Sequence, residues 1–152
     1  MRGAHAKPHD WCEVWRRVLL GVLLCTVIAA IIALTLQPPE QTVALSNWLR
    51  SKVVRLGFNP SSHQLRSDIH VPMYFVLGVV LSLYGRARGW RLWMVLLVGC
   101  AIGALDECLK IALPTREFDW VDLCKDCVGI ALASFLIFEN AKSGDTELRG
   151  SS

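Results

Sequence analysis

The chain alternates four long apolar blocks with short polar ones. Val18–Leu36 carries no charged residue and runs about 19 residues, enough at about 1.5 Å per residue to cross a hydrocarbon layer about 30 Å thick. Ile69–Tyr84, Leu92–Leu113 and Trp120–Phe138 follow. The apolar residues form continuous runs rather than single stripes, and the first block is apolar all round, which argues against a soluble bundle. The pattern predicts an all-α fold. A four-helix transmembrane bundle occupies 18–138, after a cytoplasmic segment 1–17 and before a flexible cytoplasmic tail 139–152. Leu36-Gln37-Pro38-Pro39 has no small-x-small cleavage pattern, so a retained first helix is expected rather than a signal peptide.

The loop between the first two blocks has a pattern of its own. Val43, Leu45, Trp48, Leu49, Val53 and Leu56 are read as one stripe, and Ser46, Asn47, Arg50 and Lys52 as the other side. This predicts a short helix at the membrane interface, with Trp48 at headgroup level. Gly57–Ser62 reads as a turn cluster.

Charge adds a direction. Arg2, Lys7, Arg16 and Arg17 precede the first block, and Arg86, Arg88 and Arg91 separate the second from the third. The positive-inside rule puts both groups, and hence both termini, in the cytoplasm. The first outer loop disagrees, with Arg50, Lys52, Arg55 and Arg66, but the short Arg86–Arg91 turn flanks two spans tightly and decides the assignment. A net charge of +3, scattered along 152 residues, gives no nucleic-acid footprint; the lipid bilayer is the expected partner.

The polar residues inside the blocks carry the chemistry. A charge at mid-bilayer costs about 2.5–3.5 kcal/mol, so Asp106, Glu107, Lys110, Asp122 and Asp126 are expected to share a pocket. Counted from the inner ends of their spans, His70, Asp106 and Asp126 all lie roughly 20–24 Å up, in one layer near the outer face. Each span also points its polar groups one way. His70, Tyr74, Gly78 and Ser82 recur every fourth residue, Asp106 and Lys110 stand above Gly99 and Gly103, and Asp122, Asp126, Ile130 and Ser134 share a face beside Gly129 and Ala133. Small residues at this spacing let helices approach closely. The Pro114–Asp119 turn hangs Arg116 over the layer, and Asp119 or a neighbour is placed to cap the last helix.

Asp106-Glu107-Cys108-Leu109-Lys110-Ile111-Ala112-Leu113-Pro114-Thr115-Arg116, followed by Asp122, Asp126 and Gly129, resembles the VanZ-like family of bacterial membrane proteins, as does His70-Val71-Pro72-Met73-Tyr74-Phe75-Val76-Leu77-Gly78. The resemblance covers about His70–Phe138. Lys110 stands where that family usually has Gln, Thr115 replaces a Gly, Val71 a usual Phe and Met73 a frequent polar residue. The resemblance implies a multi-pass protein of the bacterial plasma membrane and cell envelope, linked to teicoplanin-type glycopeptide resistance.

Two functions follow as expectations. The first is binding, without catalysis, of an anionic lipid headgroup, a cell-wall lipid precursor or a lipoglycopeptide in an outward-facing pocket. His70, Tyr74, Asp106, Glu107, Lys110, Arg116, Asp122 and Asp126 would line it, with Arg116 and Lys110 taking anionic groups. The alternative is a membrane-embedded phosphoester or acyl hydrolase using Glu107, His70 and Asp126 in acid–base roles. No serine elbow, metal-binding helix motif or phosphate loop supports that alternative, and Ser67 and Ser82 lack motif context as nucleophiles. His70 with Asp106, Glu107, Asp122 and Asp126 offers donors for a divalent ion, yet the spacing fits no standard motif, so no metal or cofactor is assigned. The six cysteines include Cys124-Lys125-Asp126-Cys127, whose C-x-x-C spacing suits a redox or metal pair or a link with Cys108 or Cys127, while Cys25 and Cys100 read as apolar fillers.

Overall fold

The computed structural model describes residues 8–55, 57–58, 61, 67–113 and 116–150, and among these every regular element is a helix. The five are α1 (Pro8–Thr35), α2 (Pro39–Arg55), α3 (His70–Ala87), α4 (Leu92–Ile111) and α5 (Trp120–Gly150). Each apolar block thus becomes one helix. The last helix continues past the end of its apolar run at Phe138 to Gly150.

The ends of the helices follow from local chemistry. Pro39 opens α2, where a missing N–H costs nothing, with Glu40 in the first turn and Lys52 and Arg55 in the last. Gly89, at φ +73°, ends α3: its N–H donates to the Arg86 carbonyl at 3.0 Å, and the Trp90 N–H donates to Gly85 at 2.8 Å. The Asp119 carboxylate accepts the Val121 N–H at 2.8 Å and so caps α5. Pro114 and Thr115, part of the expected turn, lie outside the described residues, as do Asn59, Pro60 and Ser62 of the Gly57–Ser62 cluster.

α3 packs most extensively against α5; α4 also packs on α5, and α1 covers α3. Two glycines permit this. A Cβ on Gly129 would stand 2.5 Å from the Val71 carbonyl oxygen, and one on Gly78 would stand 2.9 Å from the Ala133 Cβ. The core beside them holds Tyr74, Leu77, Leu81, Val95, Ile130 and Ala133. Ser82 donates to Ser134 at 3.0 Å across the α3–α5 seam. The outer surface is apolar, with Leu19, Val22, Leu97, Leu105 and Leu132 all exposed. Two helices, over Trp11–Thr35 and Leu92–Ile111, are long and apolar enough to cross a membrane.

The helix expected in the first loop is present as α2, with Val43, Leu45 and Trp48 of its apolar stripe exposed and Ser46, from the other side, buried. α2 makes no extensive contact with another helix among the described residues, so core burial does not dictate which side it turns inward.

Candidate functional site

The C-terminal ends of α1 and α4 meet the N-terminal ends of α3 and α5, and their polar side chains form one cluster. The first two turns of α3 supply His70 and Tyr74. The last two turns of α4 supply Asp106, Glu107 and Lys110, all buried. Asp122 and Asp126 come from the start of α5, where a helix N-terminus favours negative charge.

The contacts run across helices. His70 Nδ1 lies 2.7 Å from Asp126 Oδ1, and its Nε2 lies 3.6 Å from Asp122 Oδ2. Lys110 Nζ donates to Glu107 Oε1 at 2.5 Å and to Asp122 Oδ2 at 3.3 Å. The Asp119 backbone N–H donates to Glu107 Oε2 at 3.2 Å, so both Glu107 oxygens are bonded. Ser67 donates its hydroxyl hydrogen to Asp122 Oδ1 at 2.6 Å, and Lys125 donates to Ser67 at 2.8 Å and to Asp68 at 2.7 Å. Thr35 donates to Asp106 Oδ1, closing the cluster with α1. The His70 and Tyr74 rings stack with centroids 6.2 Å apart.

Three buried atoms stand out against this bonding. Asp106 Oδ2, Asp126 Oδ2 and the Tyr74 hydroxyl have no hydrogen-bond partner. The Tyr74 hydroxyl faces Asp106 and Asp126, and Asp106 is its candidate acceptor. Buried polar atoms are ordinarily satisfied, so three in one place point to something else that satisfies them. One donor atom each from His70, Asp106, Glu107 and Asp126 lies within 4.8 Å of the others.

Of the eight residues singled out in the sequence, seven meet here. The eighth, Arg116, donates over a long 3.5 Å to the Gln37 carbonyl, tying the α4–α5 loop to the end of α1. The cluster is more closed than the vestibule expected from sequence: Glu107, Asp126 and Tyr74 are fully buried, and the Asp122 side chain, 14% exposed, is at its edge. Thr35, Ser67 and Lys125 also belong to the network, and no sequence pattern assigns them a binding role. All six cysteines are free, and Cys127 lies beside Cys100 rather than Cys108.

An apolar groove between α1 and α3, bordered by Arg17, Gly21, Cys25, Tyr84 and Arg88, lies at the opposite end of the helices. Arg17 and Arg88 therefore lie at the end opposite the buried carboxylate cluster. No family model matches the sequence, and neither a curated protein nor a solved structure is detectably similar to it.

Proposed function

We propose that the chain is an integral membrane protein of the bacterial cell envelope, of the VanZ-like kind. In this reading α1, α3, α4 and α5 span the bilayer, both termini are cytoplasmic and the charged layer lies toward the outer face. The layer receives the polar part of an envelope lipid, a cell-wall lipid precursor or a lipoglycopeptide. Carboxylates take its hydroxyls and amines, and Arg116 takes its anionic groups, joined by Lys110 where an incoming anion displaces one of its carboxylate bonds.

One observation carries this reading: charged side chains from three helices and a hydroxyl from a fourth converge at one level, inside a surface that is otherwise apolar. An apolar exterior suits lipid, and a polar layer within it is maintained in membranes mainly where a polar species must be handled. The arginines at the far end agree with a cytoplasmic assignment for that end.

The test is direct binding and protection. The full-length protein in nanodiscs is titrated with teicoplanin, and wild type and variants are expressed in a glycopeptide-sensitive host. Glu107→Gln, Asp126→Asn and Arg116→Ala are expected to lose binding and protection at normal membrane levels. Wild-type protein that is folded yet neither binds nor protects removes the lipoglycopeptide from the reading. Failure with lipid-headgroup probes as well removes the pocket function.

Hydrolysis of an envelope lipid is the second reading, favoured by the His70–Asp126 contact at 2.7 Å, which resembles an acid–base pair. The Ser67 hydroxyl donates to Asp122 and accepts from Lys125 at the edge of the same cluster. Turnover of a phospholipid by purified protein, abolished by His70→Gln, would establish this reading over simple binding.

A further inference from the structure

The cluster holds more negative charge than its own cations offset. Asp106, Glu107, Asp122 and Asp126 face a single ammonium, Lys110, whose bonds go to Glu107 and Asp122. Among the described residues, Asp106 and Asp126 have no cationic side chain bonded to them except the imidazole of His70 on Asp126. Both are almost wholly buried, at 2% and 0% exposure, and each has one oxygen without a partner. Buried carboxylates without a cationic partner either take up a proton or recruit a counterion, and a cluster with several of them favours the second.

We infer that His70, Asp106, Glu107 and Asp126 form a binding site for one divalent metal ion of the Zn2+ or Mn2+ class. Their donor atoms lie within 4.8 Å of one another, so small side-chain shifts bring them to a common centre. Three carboxylates and one imidazole form a mixed oxygen–nitrogen set, which suits these ions better than the softer ones that prefer thiolate. The Tyr74 hydroxyl, wholly buried beside the same oxygens, has Asp106 as its candidate acceptor, which leaves the wholly buried Asp126 Oδ2 as the atom an added polar species would satisfy. A dication together with Lys110 offsets three of the four carboxylate charges.

The surroundings of His70 fit a ligand role. In the structure Nδ1 is directed at Asp126, and Nε2 faces Asp122 Oδ2 at 3.6 Å. When Nδ1 ligates, its proton is carried on Nε2 instead, where Asp122 accepts it. A carboxylate behind a ligating imidazole fixes its tautomer and raises its basicity. Ser67 holds Asp122 in place for this task, at 2.6 Å, and Lys125 holds Ser67.

The metal site stands on these side chains alone; its link to an anionic headgroup rests on the pocket reading above. A bound dication would convert an acidic layer into one that accepts a phosphate or carboxylate oxygen, which Lys110 alone is poorly placed to do while bonded to Glu107 and Asp122.

The test uses full-length protein in dodecylmaltoside, stripped with chelator and dialysed. It is titrated with ZnCl2, MnCl2, MgCl2 and CaCl2, with bound metal read by calorimetry and elemental analysis. One equivalent of Zn2+ or Mn2+ per chain is expected, with a raised melting temperature. Asp106→Asn and Asp126→Asn should each weaken binding by at least about a hundredfold, and Asp122→Asn by about tenfold. Glu13→Gln, in an exposed ion pair at the far end, should bind as wild type. Stripped wild-type protein that stays helical yet takes up none of the four ions at one equivalent overturns the site. So does undiminished binding by both Asp106→Asn and Asp126→Asn. If those variants fail to fold, the wild-type stoichiometry and melting shift decide. Titrating the same samples with glycerol phosphate separates the two claims. Metal loading without glycerol phosphate binding keeps the metal site and counts against an anionic headgroup. Glycerol phosphate binding to metal-free protein, with no metal uptake, does the reverse.

Discussion

At the level of Gly78, Ser82, Gly129 and Ser134, α3 and α5 touch through small side chains, and the polar content is a single hydroxyl pair. One turn above Gly129 the same two helices meet through an imidazole and two carboxylates, with α4 adding two carboxylates and an ammonium. The lower zone is held by shape: what matters there is that no atom occupies the seam. The upper zone is held by balance of charge, and removing one partner leaves another buried without compensation. Space in the first and sign in the second are therefore the sensitive variables.

The largest effect is expected in the upper zone. Lys110→Met removes the ammonium bonded to Glu107 and Asp122 and should lower unfolding free energy by about 3–5 kcal/mol, measured in mixed micelles. Adding Glu107→Gln should recover part of the loss, because the surplus charge falls. A full-sized loss in both variants would mean that shape dominates there too.

Next comes Gly129→Ala. Its methyl would meet the Val71 oxygen at 2.5 Å and the Phe75 nitrogen at 2.9 Å, backbone atoms that cannot turn aside. A loss of about 1–3 kcal/mol is expected. Gly21→Ala, whose methyl would meet Tyr84 Cε2 at an ordinary 3.5 Å, should be close to neutral. Equal effects at the two glycines would deny the seam its special closeness.

The smallest effect belongs to the hydroxyl pair. Ser82→Ala alone should cost about 1 kcal/mol, and the double variant with Ser134→Ala should recover most of it, because no buried group is then left unbonded. Additive losses would mean that the two hydroxyls do not act together.

Much of this contrast was legible in the sequence. Against an apolar background, each polar residue must face a neighbour, so the spacing of His70, Tyr74, Gly78 and Ser82 and of Asp122, Asp126 and Ser134 marked the inward faces directly. The specific bonds were not legible. Thr35 lies 71 residues from Asp106, and a threonine near the end of an apolar run gives no hint of its partner. Which carboxylate takes Lys110 and which takes His70 depends on differences of an ångström, below anything a helical repeat resolves. Arg116 was expected over the carboxylates, but its bond to Gln37 depends on the path of a loop. α2 was legible as a helix, and it packs lightly on the other helices, so burial adds no strong pattern of its own.

The central claim is that charged groups from separate helices meet in one buried layer. A double-mutant cycle on His70→Gln and Asp126→Asn tests it most directly, with unfolding free energies measured on chelated protein. The two residues lie 56 positions apart and 2.7 Å from each other, so a coupling of about 1–3 kcal/mol is expected. Losses that add within about 0.5 kcal/mol would contradict a shared layer.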